Sequence, residues 1–196
     1  MTFISTVPED EASGEVAEMY QRTKEALGYL PNYTLAFSAR PDVYAARSRL
    51  IATIRGKMDP RRYELATMGA ARALRSTYCL LAHGEKLLEL GSPESEVRSL
   101  SDPGTWADLD EKDRAIVEFA SKVVEAAFSI TGSDVDRLRG LGLDDEEIFD
   151  VAAAAAARSF FSKLVDATGT RADARFDETM SGLVEHLSVG RPVAEA

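Results

Sequence analysis

Residues 59–84 read DPRRYELATMGAARALRSTYCLLAHG, and this stretch decides the fold prediction. Asp59 followed by Pro60 is typical of a helix start, because aspartate caps a helix and proline suits its first position. Ser76 has the same capping character and predicts a second helix, which Gly91 ends. Two helices joined by so short a turn are expected to pack antiparallel.

The rest of the chain also favours helices. The clearest amphipathic helix begins at Asp110, and Ile116, Phe119 and Val123 share one of its sides. Another helix begins with the acidic residues 144–147, which suit the positive end of a helix dipole, and continues through an alanine-rich run. Further helices are predicted at residues 16–27, 33–39, 41–55, 93–100, 133–140 and 174–187. No strand pattern, repeat or linker is evident.

These patterns predict an all-α fold in one domain, residues 1–196. The core is expected at about 14–170, followed by a C-terminal helix at about 174–187 and a frayed tail at 190–196. A chain of 196 residues is long enough to bury a real hydrophobic core.

Composition narrows the classes of function. Acidic residues outnumber basic residues 33 to 23, and no local run of Lys and Arg offsets this balance, so neither nucleic-acid nor membrane binding is expected. No signal-peptide pattern and no membrane-spanning stretch is evident, and a cytoplasmic location is expected. One cysteine and two histidines are too few for a metal site, and no cofactor is expected.

One group of residues indicates chemistry. Cys79 and His83 lie four residues apart on the second helix, so their side chains share a face and can touch. At a helix start, unpaired N–H groups and the helix dipole favour a thiolate, and a neighbouring imidazole can take up and return its proton. Glu64 lies on an apolar side of the preceding helix, where an unpaired carboxylate would be costly. His83 is its predicted partner.

This spacing resembles that of the alkylhydroperoxidase D-like proteins of the carboxymuconolactone decarboxylase family. They carry a glutamate, a Cys-x-x-Cys pair eleven residues after it, and a histidine four residues beyond the second cysteine. Glu64, Cys79 and His83 match three of these positions, and Tyr78 is common in the peroxidase-related branch. Ser76 stands where the first cysteine is expected. The resemblance covers about residues 14–170 and implies an AhpD-like helical bundle that forms a homo-oligomer, either a dimer or trimer-based.

The function that the resemblance implies is a thiol-dependent hydroperoxide reductase. Cys79 would attack a small-molecule hydroperoxide, His83 would move protons and Glu64 would orient His83, with Ser76 and Tyr78 as possible supporting residues. Because Ser76 replaces one thiol, an external thiol reductant is needed. Two alternatives stay open: a carboxymuconolactone decarboxylase-like lyase, with a histidine base acting on a small organic acid, and a non-catalytic oligomeric binding protein.

Each of these residues also has a purely structural interpretation. A lone cysteine is more often an inert core residue than a nucleophile. His83 alone would be an ordinary helix residue, Glu64 alone a solvated partner of Arg61, and Tyr78 a packing residue. The joint spacing of Glu64, Cys79 and His83 is what favours a site. His186 is expected at the surface.

Overall fold

The computed structural model describes residues 2–195, except for the side chain of Asp108. The described residues form eleven α-helices and no strand, which confirms the all-α prediction. None of these helices is long and apolar enough to cross a membrane. The helices are α1 Gly14–Leu27, α2 Asn32–Ala36, α3 Pro41–Arg55, α4 Pro60–Ala73, α5 Thr77–Glu89, α6 Glu94–Leu100, α7 Glu111–Ala126, α8 Gly132–Gly140, α9 Asp145–Ala167, α10 Phe176–Thr179 and α11 Val184–Leu187. Short 3-10 turns occupy Glu9–Glu11, Phe37–Ala39, Pro103–Asp108 and Ala127–Ser129.

Helix α4 is the centre of the bundle. Every residue from Tyr63 to Ala71 is buried, and the helix packs against α5, α7 and α9. The approach of α7 is very close, since a Cβ atom at Gly69 would lie 2.4 Å from the carbonyl oxygen of Val117. The close packing places Glu64, on α4, in the interior of the protein.

Helices α4 and α5 form the predicted hairpin. The Asp59 side chain accepts a hydrogen bond from the backbone N–H of Arg62 at 2.9 Å, so it caps α4 as expected. In the turn, Arg75 adopts a left-handed backbone conformation with φ of 54°, which is uncommon for a residue other than glycine. This conformation reverses the chain within three residues and brings Ser76 to the start of α5.

The hairpin is antiparallel, as predicted. Near the beginning of α4, Glu64 contacts His83 in the second half of α5, and Arg61 donates to Ser92 just beyond the end of α5. These pairings set the two helices in opposite directions and put the first turn of α5 deep in the bundle.

Helices α3 and α9 complete the surroundings of the hairpin. Asp144 and Glu147 form a reciprocal capping box at the start of α9, and the alanine-rich run that follows allows close packing on α4. Helix α3 packs on α1 and α9 and is mostly half-exposed. Leu50 is 53% exposed although it is apolar. Arg47 and Ile51 face inward instead.

The C-terminal region differs from the prediction. The continuous helix expected at 174–187 is wrong, because α10 and α11 are separate short helices with Ser181 and Gly182, two poor helix formers, between them. The segment 190–195, which was expected to be frayed, is hydrogen-bonded to the rest of the protein. Its backbone N–H groups donate from Gly190 to the Thr77 hydroxyl at 3.0 Å and from Ala194 to the Ala172 carbonyl at 2.9 Å.

Candidate active site

Cys79 lies at the floor of a cavity of about 420 Å³. The cavity opens between α1, α3, α4, α5 and α9, and the Cys79 side chain is only 1% exposed. The side chains of Arg55 and Glu89, both half-exposed, stand at its rim. Glu64 and His83 line the same cavity, so the structure brings the three residues of the predicted catalytic group together.

Glu64 and His83 form a buried pair. The distance between Glu64 Oε2 and His83 Nδ1 is 2.5 Å. Burial, and then the charge of Arg158, lower the pKa of His83 to about 4, although Glu64 acts in the opposite direction. Burial raises the pKa of Glu64, but the interactions with His83, together with the charges of Arg55 and Arg158, outweigh burial and the net pKa is lowered.

At neutral pH this pair therefore consists of a carboxylate and a neutral imidazole. His83 Nδ1–H donates a hydrogen bond to the Glu64 carboxylate, so the single ring proton is on Nδ1 and Nε2 is unprotonated. An imidazole held in this tautomer can accept a proton, as a general base does. The arrangement agrees with the orienting role predicted for Glu64.

The hydrogen-bonding partners of the Cys79 sulfur are residues that the sequence reasoning did not select. The Ser162 hydroxyl lies 3.1 Å from Sγ, and Arg158 Nη1 donates to Sγ at 3.6 Å. Among the described residues, Cys79 makes no hydrogen bond to His83, although their spacing allows one. Cys79 and His83 share the cavity without forming a direct pair.

Arg158 is 3% exposed and donates to the Tyr63 hydroxyl at 3.4 Å. Burial lowers its pKa, but the nearby Cys79 sulfur and Tyr63 hydroxyl raise it, and the net pKa is raised. Arg158 therefore carries a positive charge beside the sulfur. A cation in that position stabilises a thiolate.

The sequence contains signals that could have identified these residues. Arg158 follows directly after an alanine run whose residues are largely buried, and a charge on such a helix needs a function or a partner. Arg47 lies four residues from both Val43 and Ile51, so it shares the inward side of α3 with them. Ser162 had no comparable signal.

Ser76 and Tyr78 support the start of α5 in different ways. Ser76 occupies the capping position as predicted, but its side chain makes no capping hydrogen bond and its buried Oγ has no partner among the described residues. The Tyr78 hydroxyl donates to Asp173 Oδ2 at 2.5 Å and accepts from the backbone N–H of Tyr33 at 3.2 Å. Tyr78 thus joins α5 to α2 and to the segment that follows α9.

Among the side chains that the structure describes, no group of three or more His, Cys, Asp or Glu residues could hold a metal ion.

Comparison with known sequences identifies one family. Residues 41–122 match the carboxymuconolactone decarboxylase family, and this segment contains Glu64, Ser76, Cys79 and His83. Among curated proteins, no sequence matches the chain.

Solved structures match almost the whole chain. An uncharacterised peroxidase-related protein with an alkylhydroperoxidase AhpD core, from Ralstonia eutropha JMP134, is 22% identical, covers 89% of this chain and 94% of its own, and gives a TM-score of 0.80. A peroxidase-related protein from Silicibacter sp. TM1040 is also 22% identical, with coverages of 90% and 94% and a TM-score of 0.78. A variant of the debrominase Bmp8 in complex with 2,3,4-tribromopyrrole is 18% identical, with coverages of 93% and 98% and a TM-score of 0.75. These similarities establish an AhpD-like fold.

Proposed function

We propose that this chain, whose residues 41–122 match the carboxymuconolactone decarboxylase family, is a thiol-dependent hydroperoxide reductase. The observation that carries this proposal is the setting of the Cys79 sulfur, which lies at a cavity floor with the Arg158 guanidinium at 3.6 Å and the Ser162 hydroxyl at 3.1 Å. A cation and a hydroxyl donor both stabilise negative charge on sulfur. The thiolate is the form of cysteine that attacks peroxides.

The first half-reaction converts a hydroperoxide to an alcohol. The Cys79 sulfur attacks the terminal oxygen of ROOH, so that an S–O bond forms and the O–O bond breaks. The departing RO⁻ takes up a proton to give ROH, and Cys79 becomes a sulfenic acid. His83 Nε2 accepts the thiol proton and returns it to the leaving oxygen, through the substrate or a water in the cavity that both residues line.

The second half-reaction uses an external thiol because Ser76 stands where a resolving cysteine would be needed. One R′SH attacks the sulfenic sulfur, which releases water and forms a mixed disulfide with Cys79. A second R′SH attacks that disulfide, which restores the Cys79 thiol and releases R′SSR′. The sum is ROOH + 2 R′SH → ROH + H₂O + R′SSR′.

A decarboxylase-like lyase is the second candidate. It is favoured by the neutral His83, whose unprotonated Nε2 and contact with Glu64 suit a general base that needs no thiol. The debrominase with a similar fold is a reminder that this scaffold serves other reactions in other proteins.

The test is to trap a Cys79 sulfenic acid with dimedone after exposure to one equivalent of cumene hydroperoxide and to quantify it by mass spectrometry. We expect trapping in the wild type and none in Cys79→Ser. His83→Ala and Glu64→Gln should both slow it, His83→Ala more, whereas His186→Gln, at the exposed second histidine, should leave it unchanged. Ser76→Cys should permit an internal disulfide and raise turnover with a dithiol reductant.

A Cys79 that stays inert to peroxide in the wild type would refute the reductase. A lyase activity on small organic acids that survives Cys79→Ser would then establish the second candidate. If the wild type shows neither activity and its ligand binding survives both Cys79→Ser and His83→Ala, the non-catalytic binding protein would be identified.

A further inference from the structure

The cavity above Cys79 is basic, although the protein as a whole carries a net charge of −10. Five basic side chains and three carboxylates line it. Each carboxylate already has a partner: Glu64 contacts His83 and Arg55, Glu85 contacts Arg175, and Glu89 contacts Lys86. Two of the five basic side chains have no carboxylate within 4 Å among the described residues. They are Arg47 and Arg158.

These two guanidinium groups are close to one another and to one aromatic ring. The Arg47 guanidinium lies 4.2 Å from the centroid of the Phe161 ring, and that of Arg158 lies 5.4 Å from it. The Nε atom of each is buried and has no hydrogen-bond acceptor among the described residues. Burial, and then repulsion by Arg158, lower the pKa of Arg47. The two cations therefore oppose each other in a place that water screens poorly.

The two cations differ in what can neutralise them. Arg158 contacts the Cys79 sulfur, so an ionised Cys79 would balance its charge. Arg47 has no such partner: among the described residues no carboxylate lies within 4 Å of it, and the groups that oppose the lowering of its pKa are the hydroxyls of Tyr33, Tyr44 and Tyr63. A buried cation without a counterion is costly, and a buried charge is normally paired. An anion bound beside Arg47 would remove that cost.

The lining indicates what kind of anion fits. Ile51, Phe161 and the Tyr33 ring provide apolar surface next to Arg47, and a volume of about 420 Å³ holds a small organic molecule. A guanidinium binds a carboxylate through two parallel N–H donors. We propose that Arg47 binds the carboxylate of a small organic acid in this cavity, with Arg158 reinforcing the positive potential. The substrate class would then be an acid-bearing hydroperoxide, a conclusion that rests on the proposed function.

The experiment measures binding and needs no reaction at Cys79. Isothermal titration calorimetry at low salt would compare benzoate, its uncharged analogue benzamide, and inorganic phosphate. The proteins would be the wild type, Arg47→Gln, Arg47→Lys and the control Arg49→Gln, which removes the same charge from the exposed side of the same helix. Cys79→Ser would be included as a protein without the reactive thiol.

We expect the wild type to bind benzoate at least about tenfold more tightly than benzamide, as one charge-assisted hydrogen-bonded pair would give. Arg47→Gln should abolish this preference, whereas Arg47→Lys should keep a reduced one and Arg49→Gln all of it. Phosphate should bind weakly because it has no apolar group to pack against Ile51, Phe161 and the Tyr33 ring. Cys79→Ser should bind benzoate at least as tightly as the wild type does, because no thiolate then neutralises Arg158. Arg47→Gln should change the melting temperature little, since the loss of the contact with Phe161 is offset by the removal of an unpaired, partly buried charge.

Equal binding of benzamide and benzoate, or an equal loss in Arg47→Gln and Arg49→Gln, would overturn the proposal. If phosphate binds as tightly as benzoate, the cavity would be a general anion site and the organic-acid proposal would be wrong. If Arg47→Gln does not fold, the wild type and Arg47→Lys still test the proposal. It would be refuted if neither protein binds benzoate more tightly than benzamide. If Cys79 does not react with peroxide but benzoate still binds, the proposed reductase function would be refuted and the organic-acid site would remain supported.

Discussion

The pH dependence of stability should be governed largely by His83. The folded protein keeps this side chain neutral, because burial and the charge of Arg158 lower its pKa from 6.5 to about 4. As the pH falls below about 6.5, the unfolded chain binds a proton at His83 and the folded protein does not. The stability that depends on His83 is thus complete above that pH and is lost as the pH falls towards 4.

The size of the effect follows from the difference in pKa. Each pKa unit corresponds to about 1.4 kcal/mol. At about pH 4.5 the folded protein has begun to take up the proton, so the expected loss in the free energy of unfolding is about 2.5 kcal/mol relative to pH 7. This is a large part of the total stability of a typical domain, about 5–15 kcal/mol.

The assay is urea unfolding at pH 7 and at about pH 4.5 for the wild type, His83→Gln and His186→Gln. The amide of glutamine can donate to Glu64 in place of Nδ1, so the carboxylate keeps a hydrogen bond while the titrating group is removed. His83→Gln should lose about 2.5 kcal/mol less than the wild type between the two pH values. His186→Gln, at the exposed second histidine, should respond as the wild type does. Identical losses in the wild type and His83→Gln would refute the argument that burial holds His83 neutral.

Two further predictions concern packing and assembly. Gly69→Ala should lower the free energy of unfolding by about 1–3 kcal/mol, because its Cβ would collide with the Val117 carbonyl. Gly132→Ala, which has open space around its Cβ, should not lower it. Denaturation followed by circular dichroism tests this, and equal stabilities of the two variants would contradict it. The protein should be a homo-oligomer, either a dimer or trimer-based. Phe149 and Phe160 on α9 are 70% and 48% exposed, and exposed apolar surface of this kind marks an interface between proteins. Light scattering that finds only a 21.3 kDa monomer at micromolar concentration would contradict this.

The helices of the hairpin were predictable because their signals are local. Asp59 and Pro60 mark the start of α4, and the spacing of Glu64 and His83 predicted their pairing across the hairpin. The prediction of one helix at 174–187 failed at Ser181 and Gly182, two poor helix formers at which the backbone is not helical.

The electrostatic part of the site was not predictable in the same way. Arg158 and Ser162 approach Cys79 from α9, 79 and 83 residues later in the chain. Spacing within one helix cannot reveal such a contact, because it depends on how α9 packs on α4. Local capping rules were also insufficient at Ser76, whose position fits a cap but whose hydroxyl does not form the bond.

The long separation between Cys79 and α9 has a consequence during synthesis. The hairpin with the thiol leaves the ribosome well before Arg158, which follows 79 residues later, and at about 5–20 residues per second this interval is about 4–16 s. Throughout it, the sulfur has neither its cation nor the cover that α9 provides in the folded protein. A nascent chain is therefore open to oxidation at Cys79 before any cavity exists to select the oxidant.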